Sequence, residues 1–165
     1  MYKKTLVLAL GFFISFASLS QKKEVNKWDV NNPHEDWKYK NFNLKTDEGT
    51  WMNLDISPDG KTIIFDMLGD IYSMPVSGGK ATALRTGLAY EVQPRFSPDG
   101  KYISFTSDLE GGNNIWVMTA DGKNAKSITK EKFRLLNNAV WTPDGKSIIA
   151  RKHFTSQRSV GAGEM

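Results

Sequence analysis

The sequence has no cysteine among its 165 residues, and this absence removes several kinds of chemistry at once. It excludes a disulfide framework, a thiolate metal site and a cysteine nucleophile. Histidine is almost as scarce, because only His34 and His153 are present. A zinc site needs three or four ligands at short spacing, which two distant histidines do not supply. The Gly-x-Ser-x-Gly motif of serine hydrolases is absent as well. We therefore predict no catalytic residue, cofactor site or metal ligand in these 165 residues.

The longest apolar run lies at the N-terminus, at residues 6–16, and it has 11 residues interrupted by one glycine and one serine. Lys3 and Lys4 precede it, and small residues follow it as far as Ser20. As a helix, such a run spans about 17 Å, well short of the ~30 Å hydrocarbon core of a bilayer. The pattern predicts a cleavable signal peptide helix at 1–20, cut after Ser20, and no stable membrane anchor. The expected location is periplasmic or secreted.

The basic charge of the chain is dispersed. The net charge is +4, and removing Lys3 and Lys4 with the signal peptide lowers it to +2. Nucleic-acid binding requires clustered basic residues on one surface, and no such cluster is visible. We therefore predict no nucleic-acid partner.

A five-residue motif recurs three times. Ser-Pro-Asp-Gly-Lys occupies 57–61 and 97–101, and Thr-Pro-Asp-Gly-Lys occupies 142–146, at spacings of 40 and 45 residues. Proline presets the backbone of a type I turn, and glycine at its end adopts a left-handed backbone at little cost. Apolar residues alternate after each turn, which is the pattern of a half-buried strand. Each motif therefore predicts a β-hairpin, with Gly100 in the left-handed region.

A second signature follows the first two hairpins, as Asp-Ile-Tyr at 70–72 and Asn-Ile-Trp at 114–116. It begins a third strand, and a further turn leads to a fourth strand. Four antiparallel strands in 40 to 45 residues are typical of one propeller blade. The predicted blades are about 51–86, 90–129 and 137–165, the last incomplete because Glu164 lies where its third strand begins.

The remaining segments complete the predicted organisation. Residues 42–46 resemble residues 82–86 and lie at the same distance before the next hairpin. They are predicted to form the fourth strand of another blade, so that the propeller segment covers 42–165. Residues 21–41 are predicted to form an irregular leader. The fold class is therefore all-β, with about two and a half four-stranded blades, and we expect the chain to be the N-terminal part of a longer protein.

These hairpins and the Asp/Asn-Ile-Tyr/Trp signature resemble the TolB-like, WD40-like propeller repeat of bacterial periplasmic proteins. The resemblance covers about residues 42–165. Four stretches, at 28–33, 46–54, 66–72 and 150–156, also resemble the beginning of large secreted amidohydrolases. In that family a TolB-like propeller precedes a metal-dependent barrel. The resemblance implies that a downstream domain, absent here, hydrolyses a C–N bond with a zinc-type divalent metal.

The function that this resemblance implies is a non-catalytic propeller that controls substrate access or binds protein. Its partners would be the remaining blades and the downstream domain, together with an envelope protein or peptide. Two alternatives stay open: a TolB-like interaction propeller without an enzyme domain, and the propeller of a secreted serine peptidase. The sequence that follows Met165 would discriminate among the three.

One stretch departs from the repeat. Arg151, Lys152, His153 and Arg158 place three bases and a histidine at the end of a strand and in the loop after it. Arg151 occupies the position of Asp66 and of Thr106 in the other two repeats. Because loops at one face of a propeller are where ligands or partner domains dock, these four residues form the candidate contact loop. The alternative is a solvated loop whose arginine pairs with a neighbouring carboxylate.

Overall fold

The computed structural model describes residue 30, residue 40 and the ranges 43–132, 134–154 and 162–164. The predicted signal peptide and nearly all of the predicted leader lie outside the described residues. Within the described ranges the chain forms eleven β-strands. These ranges contain no helix that is long and apolar enough to cross a membrane.

The strands form three consecutive antiparallel sheets, which we call blades 1, 2 and 3. Blade 1 contains β1 (Leu54–Ile56), β2 (Thr62–Met67), β3 (Asp70–Pro75) and β4 (Thr82–Arg85). Blade 2 contains β5 (Glu91–Phe96), β6 (Tyr102–Ser107), β7 (Asn114–Thr119) and β8 (Lys126–Ser127). Blade 3 contains β9 (Leu136–Trp141), β10 (Ile148–Phe154) and β11 (Ala162–Glu164).

The blades stack face to face in the order of the chain. Within each sheet the strands pair with their sequence neighbours. The first strand of blade 2, β5, contacts β1, β2 and β3 of blade 1, and β9 contacts β5, β6 and β7 of blade 2 in the same way. This arrangement of stacked antiparallel sheets, two with four strands and one with three described strands, is that of a β-propeller. The predicted fold class, an all-β partial propeller, is therefore confirmed.

The middle blade differs from the alternating pattern that the sequence predicts. Ile103, Ser104 and Phe105 follow one another in β6, and all three are fully buried. Successive strand residues point to opposite faces of a sheet, so β6 is covered on both faces, by blade 1 and by blade 3. The prediction of half-buried strands is wrong for this strand, because a neighbouring blade covers each of its faces. The small Ser104 packs on one face, and Ile103 and Phe105 pack on the other.

The predicted strand at 42–46 is not formed by the residues that the structure describes there. Residues 43–46 have no strand pairing, and residue 42 lies outside the described residues. The prediction assigns this strand to a blade other than blade 1, and a strand exists only where a neighbour supplies hydrogen bonds. The three described blades supply no partner for it, so the prediction stays untested.

The three repeated turns have one hydrogen-bond pattern. In the first, Gly60 N donates to Ser57 O at 2.8 Å, and Ser57 Oγ donates to Asp59 Oδ1 at 2.6 Å. Thr62 N closes the turn by donating to Ser57 Oγ at 2.9 Å. The same bonds recur in the other two turns. The predicted hairpins are therefore present, and the aspartates at their tips are structural.

Gly100 has a φ of +70°, which confirms its predicted left-handed conformation. A Cβ on Gly100 would lie 3.4 Å from Pro58 Cδ, and one on Gly145 would lie 3.7 Å from Pro98 Cδ. The prolines of the first two motifs therefore each pack against the glycine of the next motif. The turns themselves contribute to the contact between blades.

A fourth turn, between β7 and β8, gives a pH prediction. A hydrogen bond from the Thr119 hydroxyl, followed by bonds from Lys123, lowers the pKa of the exposed Asp121 carboxyl from 3.8 to about 2. A carboxyl whose pKa is lower in the folded state contributes stability above its unfolded pKa and loses it as the pH falls through its folded pKa. We expect the melting temperature to fall between about pH 4 and pH 2. Asp121→Asn should flatten part of that fall, and an identical pH profile for this variant would contradict the assignment.

The glycine of the same turn marks a close approach between blades 1 and 2. Gly122 has a φ of +82°, and a Cβ there would lie 2.8 Å from Leu84 O. Gly60 has a similar φ of +71° with no atom near its Cβ position. Gly60→Ala should lower the free energy of unfolding by about 1 kcal/mol through backbone strain. Gly122→Ala should lower it by about 2–4 kcal/mol, because the added methyl group also pushes against Leu84. Urea unfolding of both variants measures the difference, and equal losses would mean that the blades are not in contact at this turn.

The main apolar core lies between blades 1 and 2. It contains Ile64 and Ile71 from blade 1 and Ile103, Phe105, Trp116 and Met118 from blade 2. A smaller cluster joins Ile115 of blade 2 to Leu136 and Ala139 of blade 3. Repeat architectures derive their stability from such interfaces between neighbouring units. Each blade therefore depends on the next one for its core.

Candidate functional site

The loops of the three blades separate into two faces. The connections between blades, at 86–90 and at 128–132 with 134–135, leave the sheets at the same end as the described loops that join the second and third strands of blades 1 and 2. We call this end the crossover face. The Ser/Thr-Pro-Asp-Gly-Lys turns lie at the opposite end, which we call the hairpin face. The predicted contact residues Arg151, Lys152 and His153 lie at the crossover end of β10.

These three residues belong to a strand rather than to a loop. Lys152, His153 and Phe154 pair with Glu164, Gly163 and Ala162 of β11. The prediction of a strand end is therefore right, but the strand runs farther than the sequence suggests because β11 supplies hydrogen bonds. Arg158 lies outside the described residues.

An ion pair and aromatic contacts hold the basic side chains at the crossover face. Lys152 Nζ pairs with the Glu131 carboxylate, which comes from the connection between blades 2 and 3. The Arg134 guanidinium lies 4.3 Å from the centroid of the Phe154 ring, and Lys152 Nζ lies 5.7 Å from it. Both cations are within the range of cation–π attraction. Arg151 is exposed, and as the strand neighbour of Lys152 it points to the opposite face of the sheet.

His153 is tied to the first strand of its own blade. Its backbone N donates to Leu135 O at 3.0 Å, and its Nε2 lies 3.1 Å from Asn137 Oδ1. An amide oxygen accepts hydrogen bonds and does not donate them, so in this arrangement Nε2 carries the hydrogen. The cationic cluster at the end of β10 therefore consists of Arg134, Arg151, Lys152 and His153, of which Arg151 is exposed and Lys152 is paired with Glu131. An exposed guanidinium attracts carboxylates and other anions.

A second polar feature, which the sequence analysis missed, lies between the blades near the same face. Asp66 is 3% exposed. Its Oδ1 accepts a hydrogen bond from Asn53 N at 2.9 Å, and its Oδ2 accepts from Asn53 Nδ2 at 2.9 Å and from Gln93 N at 2.6 Å. The last bond crosses from blade 1 to blade 2. Asp66 is therefore a buried acceptor that joins the two blades.

Gln93 extends this connection to blade 3. It lies where a register shift interrupts the pairing of β5 with β6, and its φ is +60°. A residue in such a bulge is unpaired in the ladder, so its N–H needs an acceptor from elsewhere, and Asp66 supplies it. The Gln93 side chain in turn accepts from Asn138 N at 2.8 Å, and Asn138 has a φ of +52°. Asp66, Gln93 and Asn138 thus connect three blades in series.

A third connection between blades 1 and 2 is an ion pair. Arg85, at the end of β4, reaches Glu91, at the start of β5, with Nη2 2.8 Å from Oε1 and Nε 3.1 Å from Oε2. The Glu91 side chain is 2% exposed, whereas that of Arg85 is 25% exposed. The Arg85 guanidinium also lies 6.0 Å from the Phe105 ring centroid. Glu91 is therefore buried with its charge matched by one partner from the preceding blade.

Among the described residues no group of three or more histidines, aspartates and glutamates is placed to hold a metal ion. The zinc-type metal that the amidohydrolase resemblance implies therefore has no donor set in this part of the chain. A cleft of about 810 Å³ lies between blades 2 and 3 toward the hairpin face, where Tyr102, Trp141 and Ile128 line it. The predicted contact residues do not line this cleft, so the two features are separate.

Comparison with known proteins decides the family. Residues 51–162, more than half of the chain, match the family model of the Tricorn protease N-terminal beta propeller domain. The chain belongs to this propeller family. The matched range begins just before β1 and ends within β11, so it covers all three blades. The predicted TolB-like propeller is confirmed, because the structure also resembles that of TolB from Acinetobacter baumannii, with a TM-score of 0.52 and 27% identity over 70% of this chain.

Individual relatives match only part of this propeller domain. An uncharacterized protein of Agrobacterium fabrum is 37% identical over 81 residues, which is 47% of this chain and 28% of that protein. Tricorn protease homolog 1 of Streptomyces coelicolor is 29% identical over 89 residues, which is 54% of this chain and 8% of the homolog. The match to TolB covers 29% of that chain. The propeller segment thus spans less than a third of each of these proteins. The amidohydrolase resemblance is not tested by these matches and stays a prediction.

Proposed function

We propose that this propeller segment is the non-catalytic part of an envelope hydrolase, and that its crossover face receives the substrate or the domain that cleaves it. The match of residues 51–162 to the N-terminal propeller of a protease carries the proposal, because it associates this fold with a hydrolytic enzyme. The cationic cluster at the end of β10 supports the choice of face. The apolar run at 6–16, preceded by lysines, supports a periplasmic or secreted location.

The chemistry of the parent protein is proposed to be hydrolysis of a C–N bond. In the first form of the proposal, a downstream metal-dependent amidohydrolase domain carries it out, as the stretches at 28–33, 46–54, 66–72 and 150–156 suggest. In the second form, a serine peptidase domain does so, and the similarity to Tricorn protease homolog 1 favours it. In both forms the propeller supplies binding and the other domain supplies catalysis.

The cluster at the crossover face suits a partner that carries carboxylates. Arg151 is exposed, whereas Lys152 is already paired with Glu131 and the Arg134 guanidinium lies over the Phe154 ring. Arg151 is therefore the residue that can form a charge-assisted pair with an incoming carboxylate. An acidic segment of a peptide or of a partner domain is therefore the proposed ligand of this face.

The experiment compares the chain alone with the longer polypeptide. Residues 21–165 should not hydrolyse a panel of amide and peptide substrates, with or without added Zn²⁺, because no catalytic group is assigned to them. In the longer polypeptide, Arg151→Ala should raise KM about tenfold at unchanged kcat, the equivalent of one charge-assisted hydrogen bond.

Lys101→Ala, on the hairpin face, is the matched control and should change neither constant. An equal rise in KM for this control would show that the effect is one of general charge. Turnover by residues 21–165 that is lost in His153→Ala would contradict the assignment of a non-catalytic role.

A further inference from the structure

The structure describes two residues of the predicted leader, and they differ in exposure. Val30 is 4% exposed, whereas Lys40 is exposed. The sequence neighbours of Val30, Asp29 and Asn31, are polar. An apolar side chain from a polar segment is removed from water when another surface receives it. The burial of Val30 therefore raises the question of which surface it meets.

The surface is a cavity of about 280 Å³ at the junction of blades 1 and 2, on the crossover face. The connection at 86–90 contributes Leu88 and Ala89 to its lining, and the loop between β6 and β7 contributes Leu109. Val30 lines the same cavity. The leader residue therefore shares an apolar space with three aliphatic side chains of the propeller.

Hydrogen bonds to both blades hold the connection that forms this cavity. Gly87 N donates to Asp70 Oδ1 at 3.3 Å, at the start of the third strand of blade 1. Tyr90 N donates to Asp108 Oδ1 at 2.8 Å, in the loop between β6 and β7 of blade 2. A site whose walls are already fixed needs little ordering when a side chain enters it. The cavity is therefore preformed by the propeller.

The ion pair between the two blades also lines the cavity and restricts what it accepts. The Glu91 side chain is 2% exposed, and its carboxylate is matched by Arg85. An aliphatic group beside this pair keeps water away from it and so strengthens the attraction. A second carboxylate there would be desolvated next to Glu91 without a partner. The site therefore favours an aliphatic side chain and rejects an acidic one.

The route of the chain favours its own leader as the occupant. β1, like β5, begins at the crossover face, so the leader reaches blade 1 at the face where the cavity lies. The 13 residues from Val30 to residue 43 span up to about 45 Å when extended. This length is several times the ~10 Å that separates two stacked sheets. The leader can therefore connect the cavity with β1 inside one molecule.

We propose that the cavity at the junction of blades 1 and 2 is a docking site for the leader of the same chain, with Val30 as the side chain that it takes. The volume leaves space for an aliphatic side chain larger than valine. The docking site does not depend on the hydrolase role, so either one can fail without the other.

Hydroxyl-radical footprinting of the longer polypeptide tests the site through Leu109, which is half-buried in the cavity wall. Val30→Asp should raise the oxidation of Leu109 severalfold, because the anchor no longer covers it. Val76→Asp is the matched control, since Val76 is 47% exposed near the hairpin face, and it should leave Leu109 unchanged. Equal oxidation of Leu109 in Val30→Asp and in the unsubstituted protein would overturn the proposal.

A peptide of residues 21–41, added to the polypeptide that starts at residue 42, measures the selectivity of the site. Val30→Asp in the peptide should weaken binding at least tenfold. Val30→Ile should strengthen it about fourfold, which is the value of one additional buried methylene group. Binding that does not change with residue 30 would overturn the proposal.

Dilution of the longer polypeptide identifies the source of the leader. Protection of Leu109 that is independent of concentration supports docking within one molecule. Protection that is lost on dilution would assign the bound leader to a second copy and overturn the proposal. Activity enters none of these readouts, so an inactive protein with Leu109 protected by Val30 would refute the proposed function alone.

Discussion

Replacing Asp66 with alanine is expected to lower the free energy of unfolding by about 3–5 kcal/mol. The Asp66 carboxylate accepts hydrogen bonds from both nitrogens of Asn53 and from the backbone of Gln93. Alanine leaves these donors buried without an acceptor, and the cost of an unsatisfied buried donor exceeds the net value of the bond that is lost. The loss should appear as a lower urea midpoint.

Asp66→Asn separates charge from hydrogen bonding. The asparagine keeps one oxygen acceptor but presents an amide nitrogen to one of the N–H groups, so an intermediate loss is expected. Asp108→Ala is the matched control, because its carboxylate accepts from Tyr90 N at an exposed site. The free energy of unfolding of this control should fall by about 1 kcal/mol. Equal losses in Asp66→Ala and Asp108→Ala would show that Asp66 does not join the blades.

Replacing Arg85 with methionine is also expected to lower the free energy of unfolding by about 3–5 kcal/mol, because it leaves the Glu91 carboxylate buried and unpaired. The exposed pair of Lys101 and Asp99 is the matched comparison, with their side chains 74% and 50% exposed. Lys101→Met should change the free energy of unfolding by no more than about 1 kcal/mol.

The repeat itself suggests how the loss can be repaired. Blade 3 carries Leu136 at the position of Glu91, and Leu136 is buried against the apolar residue Ile115. The double variant Arg85→Met with Glu91→Leu should therefore recover most of the stability that Arg85→Met loses, since well-packed apolar residues often replace a buried ion pair at little cost. A double variant that is as unstable as the single one would contradict this account of the interface.

The sequence predicts the turns of this protein better than its interfaces. The Ser-Pro-Asp-Gly-Lys turn is local, so every bond that forms it lies within six residues, and all three turns are present as predicted. The contacts of Asp66 and Gln93 join residues 27 and 45 positions apart. Spacing alone does not specify such partners. Asn53, Gln93 and Asn138 lie at equivalent positions of the three repeats, and the backbone N–H of each donates to a side chain. The acceptor is the Asp66 carboxylate for the first two and the Gln93 amide oxygen for the third. The bond therefore recurs although the acceptor residue does not.

The candidate contact residues show the same limit. The sequence places Arg151, Lys152 and His153 at the end of a strand, and the structure agrees. The sequence does not predict that Glu131, Arg134 and Asn137 are their neighbours, because these residues come from the connection between blades and from β9. A departure from the repeat, with Arg151 in place of Asp66 and Thr106, is the one signal that the sequence offers.

Amide hydrogen exchange of Gln93 tests most directly whether the sheets are joined as blades of one propeller. The Gln93 N–H lies in a bulge, outside the ladder of its own sheet, and its acceptor is a side chain of the preceding sheet. If the blades are docked as described, this amide should exchange as slowly as those in the middle of β6, and Asp66→Ala should accelerate it selectively. Exchange of the Gln93 amide at the rate of an exposed loop in the unsubstituted protein would contradict the account.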